Sequence, residues 1–388
     1  MNASLDKFLA NAVDNGVVPG VVALAATAQG LIYSGAFGRR GPGDDTPMDL
    51  DTVFRIASMT KAVTSAAAMQ LVEQGRIGLD QPMREIAPAL DQARVLLGFD
   101  ASGVPQTRAP KRDITLRHLL THTSGYSYDL FNKNVARYME HMQLPSIATC
   151  RFDALKAPLV FDPGERWEYG IGIDWAGRIV EIVSGQSLED YLQQHILAPL
   201  GMRDTSFVLR PDMQARLVPA AARGADGVPV QIDFEFPSDA DFHMGGGGLY
   251  STGPDYLRFT RMLLAGGSLA GVQVLTPATV TLMGQNAIGD IEVPPFVSDN
   301  PAMALSAELF PGQIARWGLS FVLNTEDIGG CRAANSLAWA GVHNTFFWID
   351  PTRQLTAVLM MQLLPANDPQ VLRTLVGYEQ GLYAALPT

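Results

Sequence analysis

Cysteine is nearly absent from the 388-residue chain: Cys150 and Cys331 are the only two, far apart and without metal-ligand or redox spacing. Two such residues make no disulfide framework, and burial as free thiols is expected. Charge is sparse at 17% and tilted toward acid, with a net charge of −11. No Lys/Arg cluster offsets that tilt, so a nucleic-acid partner or an anionic membrane surface is excluded, and the scattered acids read as solvated surface. Long apolar runs are missing as well. The longest, such as Leu355 to Met361, fall well short of the ~20 residues a membrane span needs. Met1 to Asn15 has acids and no basic start before an apolar run, so it does not read as a secretory signal, and a cytoplasmic location is expected. The absence of any Gly-x-Ser-x-Gly removes the α/β-hydrolase elbow from consideration.

What is present is an ordinary globular composition, 47% apolar, on a chain long enough for two packed regions. Leu5, Phe8, Leu9, Ala12 and Val13 recur at helical spacing behind Ser4, and Gly16 closes the segment. Val21 to Ala28 and Leu31 to Phe37 flank Gln29-Gly30 and predict a hairpin. Near the other end, Leu337 to Ile349 and Leu355 to Leu363 read as strands joined by Asp350-Pro351-Thr352-Arg353, with a helix over Gln370 to Leu386. The expected fold is therefore α+β: one antiparallel sheet flanked by N- and C-terminal helices, with a mainly helical domain inserted. The boundaries are 1–80 and 245–388 for the discontinuous sheet domain and 81–244 for the helical region, whose Tyr169 loop returns to the cleft. A Pro-rich stretch, Val293 to Pro301, reads as a long loop of unassigned role.

Met59 to Gln74 has no Pro or Gly, is rich in Ala, Met, Leu and Val, and stops at Gly75, which predicts a largely buried helix with Ser58 at its start. Residues three apart share a helical face, so Ser58 and Lys61 can bring hydroxyl and amine together where unpaired N–H groups favour an oxyanion. A solvated lysine, with a pKa of about 10.4, cannot take a proton from serine; reaching about 7 needs roughly 4–5 kcal/mol, from apolar neighbours such as Ile56, Ala62 and Ala66 and from positive charge. Ser-x-x-Lys alone says little. Ser4-Leu5-Asp6-Lys7 has the same spacing at an exposed terminus, and Ser58 by itself is an ordinary helix cap.

Context separates the two. Phe54-Arg55-Ile56-Ala57-Ser58-Met59-Thr60-Lys61 is followed by His118-Leu119-Leu120-Thr121-His122-Thr123-Ser124-Gly125-Tyr126 and by Phe161-Asp162-Pro163-Gly164-Glu165. Gly245-Gly246-Gly247-Gly248-Leu249-Tyr250-Ser251-Thr252 and Trp339-Ala340-Gly341 come next. In type and order these segments resemble the serine beta-lactamase-like superfamily, most closely its family VIII carboxylesterases with the class C beta-lactamase fold. The resemblance implies Ser58 as nucleophile, Lys61 and Tyr169 as proton carriers, and an oxyanion hole from the backbone N–H groups of Ser58 and Val342.

Two departures tilt the expectation from lactam to ester. Ile171 stands where lactamases have the Asn that holds a substrate amide, and Trp339 replaces the lysine of their Lys-Thr-Gly triad, removing a cation that attracts a substrate carboxylate. Trp339, Gly341, Ile171 and His343 are the expected substrate-binding residues, with His343 equally readable as an edge-strand residue. No cofactor or metal is expected. His118 and His122, four apart on a predicted helix, lack the Glu of a metalloprotease motif, and the Gly245 to Gly248 run lacks the Lys-Ser/Thr of a phosphate loop. The expected activity is hydrolysis of small short-acyl or aryl esters through an acyl-enzyme on Ser58, with acyl transfer on the same machinery. A beta-lactamase or D-alanyl peptidase is the first alternative and an inactive binding protein of the same fold the second. Oligomeric state is not legible.

Overall fold

The apolar runs at the two ends of the chain meet in one sheet. The computed structural model describes residues 2–237 and 239–386; residues 1, 387 and 388, at the limits of the expected sheet domain, and 238, within the expected helical region, lie outside the described residues. The strands are β1 (Gly20–Thr27), β2 (Leu31–Gly38), β3 (Ala315–Trp317), β4 (Val322–Asn324), β5 (Leu337–Gly341), β6 (Thr345–Asp350) and β7 (Leu355–Met360). They lie in the order β3-β4-β5-β6-β7-β1-β2, and every neighbouring pair is antiparallel. The helices that bear on the site are α1 (Asn2–Asp14), α2 (Thr60–Glu73), α3 (Leu116–Leu120), α4 (Gly172–Ser184), α5 (Gly253–Leu264) and α6 (Pro369–Ala384).

Alternation along the strands explains why they read as unbroken apolar runs. Val21, Ala23 and Ala25 of β1 pack with Leu5 and Leu9 of α1 and Val371 and Leu382 of α6. Val22, Leu24 and Ala26 face the other way, into the cluster that holds α2 and α5. Phe346 and Trp348 of β6 likewise go to one side, Phe347 and Ile349 to the other. Side chains at period two with both faces covered need apolar residues at every position. Helix α2 lies in the core and is buried on all sides from Thr60 to Leu71, which accounts for its lack of a polar face.

The structure corrects two expectations. Leu337 to Ile349 is two strands, because the chain reverses at Val342-His343-Asn344, where Asn344 takes φ +63° and its N–H reaches the Gly341 carbonyl at 2.9 Å. Asn tolerates that left-handed conformation, and its side-chain amide is held by the carbonyls of Leu363 (2.7 Å) and Pro365 (2.9 Å). His343 is not on an edge strand: the reversal that holds it joins β5 and β6, and β5 lies between β4 and β6, β6 between β5 and β7. The chain between the two sheet-forming ends also contains strands: Val95–Phe99 pairs with Pro105–Arg108, and Ala221–Arg223 pairs with Pro229–Gln231 and, in parallel, with Leu363–Leu364. Cys150 and Cys331 are buried free thiols, and among the described residues no helix is long and apolar enough to cross a membrane.

One ion pair belongs to the core. Arg332 donates two hydrogen bonds, 2.7 Å each, to Glu379 of α6, and both side chains are less than a tenth exposed. Removing one partner of such a pair leaves a charge in the interior with nothing to balance it. Glu379→Ala is therefore expected to lower unfolding free energy by about 3–5 kcal/mol in urea titration; a loss below about 1 kcal/mol would show the pair to be dispensable.

Candidate active site

Ser58 stands on a strained turn. It lies in the 3-10 turn Ala57–Met59 that feeds α2, and Ala57 takes φ +45°, a conformation that costs a non-glycine residue about 1–3 kcal/mol. The surroundings hold that turn from several sides. The Ile56 N–H donates to the Leu249 carbonyl (3.1 Å), the Thr345 hydroxyl donates to the Ile56 carbonyl (3.2 Å), and the Tyr256 hydroxyl donates to the Met59 carbonyl (2.8 Å). Strand β5 reaches the same turn only because residue 341 is glycine: a Cβ there would lie 2.4 Å from the Ile56 carbonyl oxygen.

The structure brings Ser58, Lys61 and Tyr169 together. Lys61 Nζ, wholly buried in the first turn of α2, lies 3.1 Å from Ser58 Oγ, and Tyr169 Oη lies 2.6 Å from the same oxygen. Trp339 Nε1 donates to Tyr169 Oη at 3.3 Å, so the tryptophan touches the cluster as well as lining the space above it. Lys61 also donates to the Gly246 carbonyl (2.6 Å) and the Tyr128 hydroxyl (3.0 Å). The glycine run is thus part of the lysine's socket, and the Gly245 carbonyl accepts from Thr64, one turn along α2.

Tyr128 and Asp174 were not legible as site residues. Tyr128 sits in a loop and Asp174 in the first turn of a helix whose other charges, Arg178 and Glu181, pair with each other, and the only available signal was an acid set among Ile173, Trp175 and Ala176. The Tyr128 hydroxyl donates to Asp174 Oδ2 at 3.3 Å. Burial, with Asp174 and Tyr169 adding, pushes the Tyr128 phenol well above its ordinary pKa, so it keeps its proton. Burial also raises the Asp174 carboxyl, opposed by the Lys61 charge and by the Gly246 N–H. His122 backs Tyr169, ring centres 4.8 Å apart; burial and then Lys61 hold it well below its ordinary pKa, and it is neutral. The helical pairing of His118 with His122 does not occur, since α3 ends at Leu120 and His122 takes φ +57°. Among the described residues no group of three metal-ligating side chains is present.

Above Ser58 opens a cavity of about 170 Å³ whose wall is mostly apolar and aromatic, including Phe131, Tyr169, Phe296, Trp339 and Phe310. Phe296 comes from the Pro-rich stretch, which now has a place: its ring packs edge-on against Phe131 (5.3 Å) and Tyr169 (6.2 Å) and lines the same cavity as Ser58. Ser58, Gly341 and Val342 line the cavity, and among the described residues no hydrogen-bond acceptor faces the N–H of Ser58 or of Val342. Ile171 and His343, expected to contact substrate, do not line it. Ile171 opens α4, its carbonyl taking the N–H groups of Asp174 (3.1 Å) and Trp175 (3.2 Å), and its side chain goes to the core. His343 occupies the β5–β6 reversal, fully buried against Phe234. Burial, with Arg55 adding, pulls its pKa down to about 3.

Fold and cluster together define a protein of the serine beta-lactamase-like superfamily, as the ordered motifs implied. Residues 5–380 match the beta-lactamase family, and the chain belongs to it. A monacolin J acid methylbutanoyltransferase from Aspergillus terreus is 35% identical over 397 residues, spanning 98% of this chain and 95% of that protein. A lovastatin esterase from Penicillium rubens is 34% identical over 382 residues, 94% of each. Among solved structures, unliganded simvastatin synthase from Aspergillus terreus superposes with a TM-score of 0.85 at 33% identity, over 98% of this chain and 97% of that one. EstCE1, a hydrolase with promiscuous acyltransferase activity, superposes with a TM-score of 0.77 at 23% identity, over 98% and 97%, which speaks for the fold alone.

Proposed function

We propose that the protein is a serine acyltransferase and carboxylesterase that takes a short acyl or aryl ester as donor and passes the acyl group from Ser58 to a bulky apolar alcohol or to water. Ser58 Oγ attacks the ester carbonyl and gives its proton to Tyr169, which reacts as the phenolate with its oxygen 2.6 Å away, while Lys61, the ammonium that has taken up the phenol's own proton, holds the pair in register. The tetrahedral oxygen is taken by the free N–H groups of Ser58 and Val342, donors each worth about 2.7–4 kcal/mol when removed from such a hole. Tyr169 returns the proton to the leaving alcohol. The acyl-serine is then resolved by the second alcohol, whose proton retraces the same path.

The observation that carries this reading is a Ser58–Lys61–Tyr169 cluster opening onto an apolar, aromatic cavity with Trp339 at its wall. The cation at that wall, Arg332, is already paired with Glu379, which leaves none free for a lactam or peptide carboxylate, and the wall suits an acceptor with a large apolar surface. The relatives named as a methylbutanoyltransferase and an esterase support the same pair of reactions on this chain. The test compares a short-chain p-nitrophenyl ester with a chromogenic cephalosporin, each with and without a polycyclic alcohol. Ester turnover is expected to dominate and the alcohol to divert product from free acid to new ester. Strong preference for the cephalosporin would assign the protein to the lactamase alternative.

A further inference from the structure

We propose that Asp174 is the positioning residue of this site, fixing from behind the two groups, the Tyr128 hydroxyl and the Gly246 carbonyl, that hold the Lys61 amine against Ser58. The inference rests on the acyl-enzyme reading above. It begins from an oddity of burial. Asp174 is wholly buried on α4, and among the described residues no lysine, arginine or histidine makes an ion pair with it. A carboxylate so placed costs stability unless hydrogen bonds satisfy it. Oδ1 accepts the Gly246 N–H at 2.8 Å and Oδ2 accepts the Tyr128 O–H at 3.3 Å. Both donors belong to the residues that Lys61 touches away from Ser58.

The proton inventory gives each contact a direction. Lys61 donates to three acceptors: Ser58 Oγ, Tyr128 Oη and the Gly246 carbonyl. Tyr128 has one proton, and giving it to Asp174 leaves only lone pairs toward Lys61. Gly246 is gripped on both sides, its N–H by Asp174 and its carbonyl by Lys61, which pins its backbone. A Cβ at residue 246 would stand 2.5 Å from Asp174 Oδ2 and 2.7 Å from Tyr128 Oη, so only glycine lets the loop, the acid and the phenol converge. The amine reaches Ser58 at the right angle because the other two contacts are set by a third residue it does not itself touch.

Asp174→Asn keeps the shape and reverses one polarity. The amide still accepts from Gly246, but its NH₂ then faces Tyr128 Oη, takes that oxygen's lone pair and turns the phenol proton toward Lys61. Loss of a hydrogen bond to a charged group predicts a fall of about 10- to 100-fold in kcat for a p-nitrophenyl ester, with KM within about 3-fold of wild type. Tyr128→Phe, which breaks the same link elsewhere, is expected to fall comparably, and the double variant to lie within about 3-fold of the worse single one, because the residues act as one unit. The idea is overturned if Asp174→Asn turns over within about 2-fold of wild type, if the two losses multiply, or if KM rises with kcat unchanged. Should Asp174→Asn not fold, Tyr128→Phe decides alone, and near-normal kcat in it refutes the proposal. Absence of an acyl-serine in the wild-type protein defeats the functional reading, whereas a wild-type acyl-serine formed equally fast in Asp174→Asn defeats this inference only.

Discussion

Ser58→Ala is expected to eliminate labelling by a fluorophosphonate probe and to lower ester turnover by on the order of 10⁴–10⁶, the loss seen when the nucleophile of an acyl-enzyme is deleted. The size of the effect follows from geometry. Among the described residues Ser58 is the hydroxyl that lies against both Lys61 Nζ and Tyr169 Oη, at 3.1 and 2.6 Å, and it lines the floor of the cavity. The alanine variant keeps the cavity, the strained turn and the free N–H groups, so substrate binding survives and the covalent step does not. Intact-mass analysis of the wild-type protein after brief exposure to ester should find one added acyl group on the peptide containing Ser58. Equal labelling of wild type and Ser58→Ala would move the nucleophile elsewhere, and no labelling of either would favour an inactive binding protein of the same fold.

Lys61→Ala and Tyr169→Phe should each slow acylation by about 10²–10⁴, the range of general acid–base contributions. The two losses have different origins. Tyr169→Phe removes the oxygen 2.6 Å from Ser58 and leaves Trp339 Nε1 without its acceptor, while the ring packing with Phe131 and Phe296 is kept. Lys61→Ala empties a buried socket and strands the Gly246 carbonyl and Tyr128, so a fall in stability of a few kcal/mol should accompany the loss of rate. Stopped-flow measurement of the burst phase separates acylation from later steps. Near-normal burst rates in either variant would strip that residue of its assigned role.

Much of the frame was legible because it is local. Hairpin, helix and turn signals occur within a few residues of one another, so the terminal helices and the strands flanking Gly30 and Asp350 could be read directly. The reading failed at Val342-His343-Asn344, where Gly341 and Asn344 were a turn signal passed over between two apolar runs, at a reversal whose asparagine is held by carbonyls more than fifteen residues away. Trp339 and Gly341 reach the cavity as the motif order implied, but Ile171 and His343 do not, since burial of a particular side chain depends on which elements pack over it.

The sequence by itself determined the helical run that carries Ser58 and Lys61, a 3-10 turn leading into α2, because residues three apart in such a run come to one face whatever the rest of the chain does. It also determined, through the order of its motifs, the family to which the chain belongs. Only the tertiary structure decided what surrounds that pair. Tyr128, Asp174, Gly246 and Phe296 come from four distant segments, and no local pattern encodes their meeting; it is set by how α2, α4 and the loops pack to bury apolar surface, which then leaves these few polar atoms to satisfy one another.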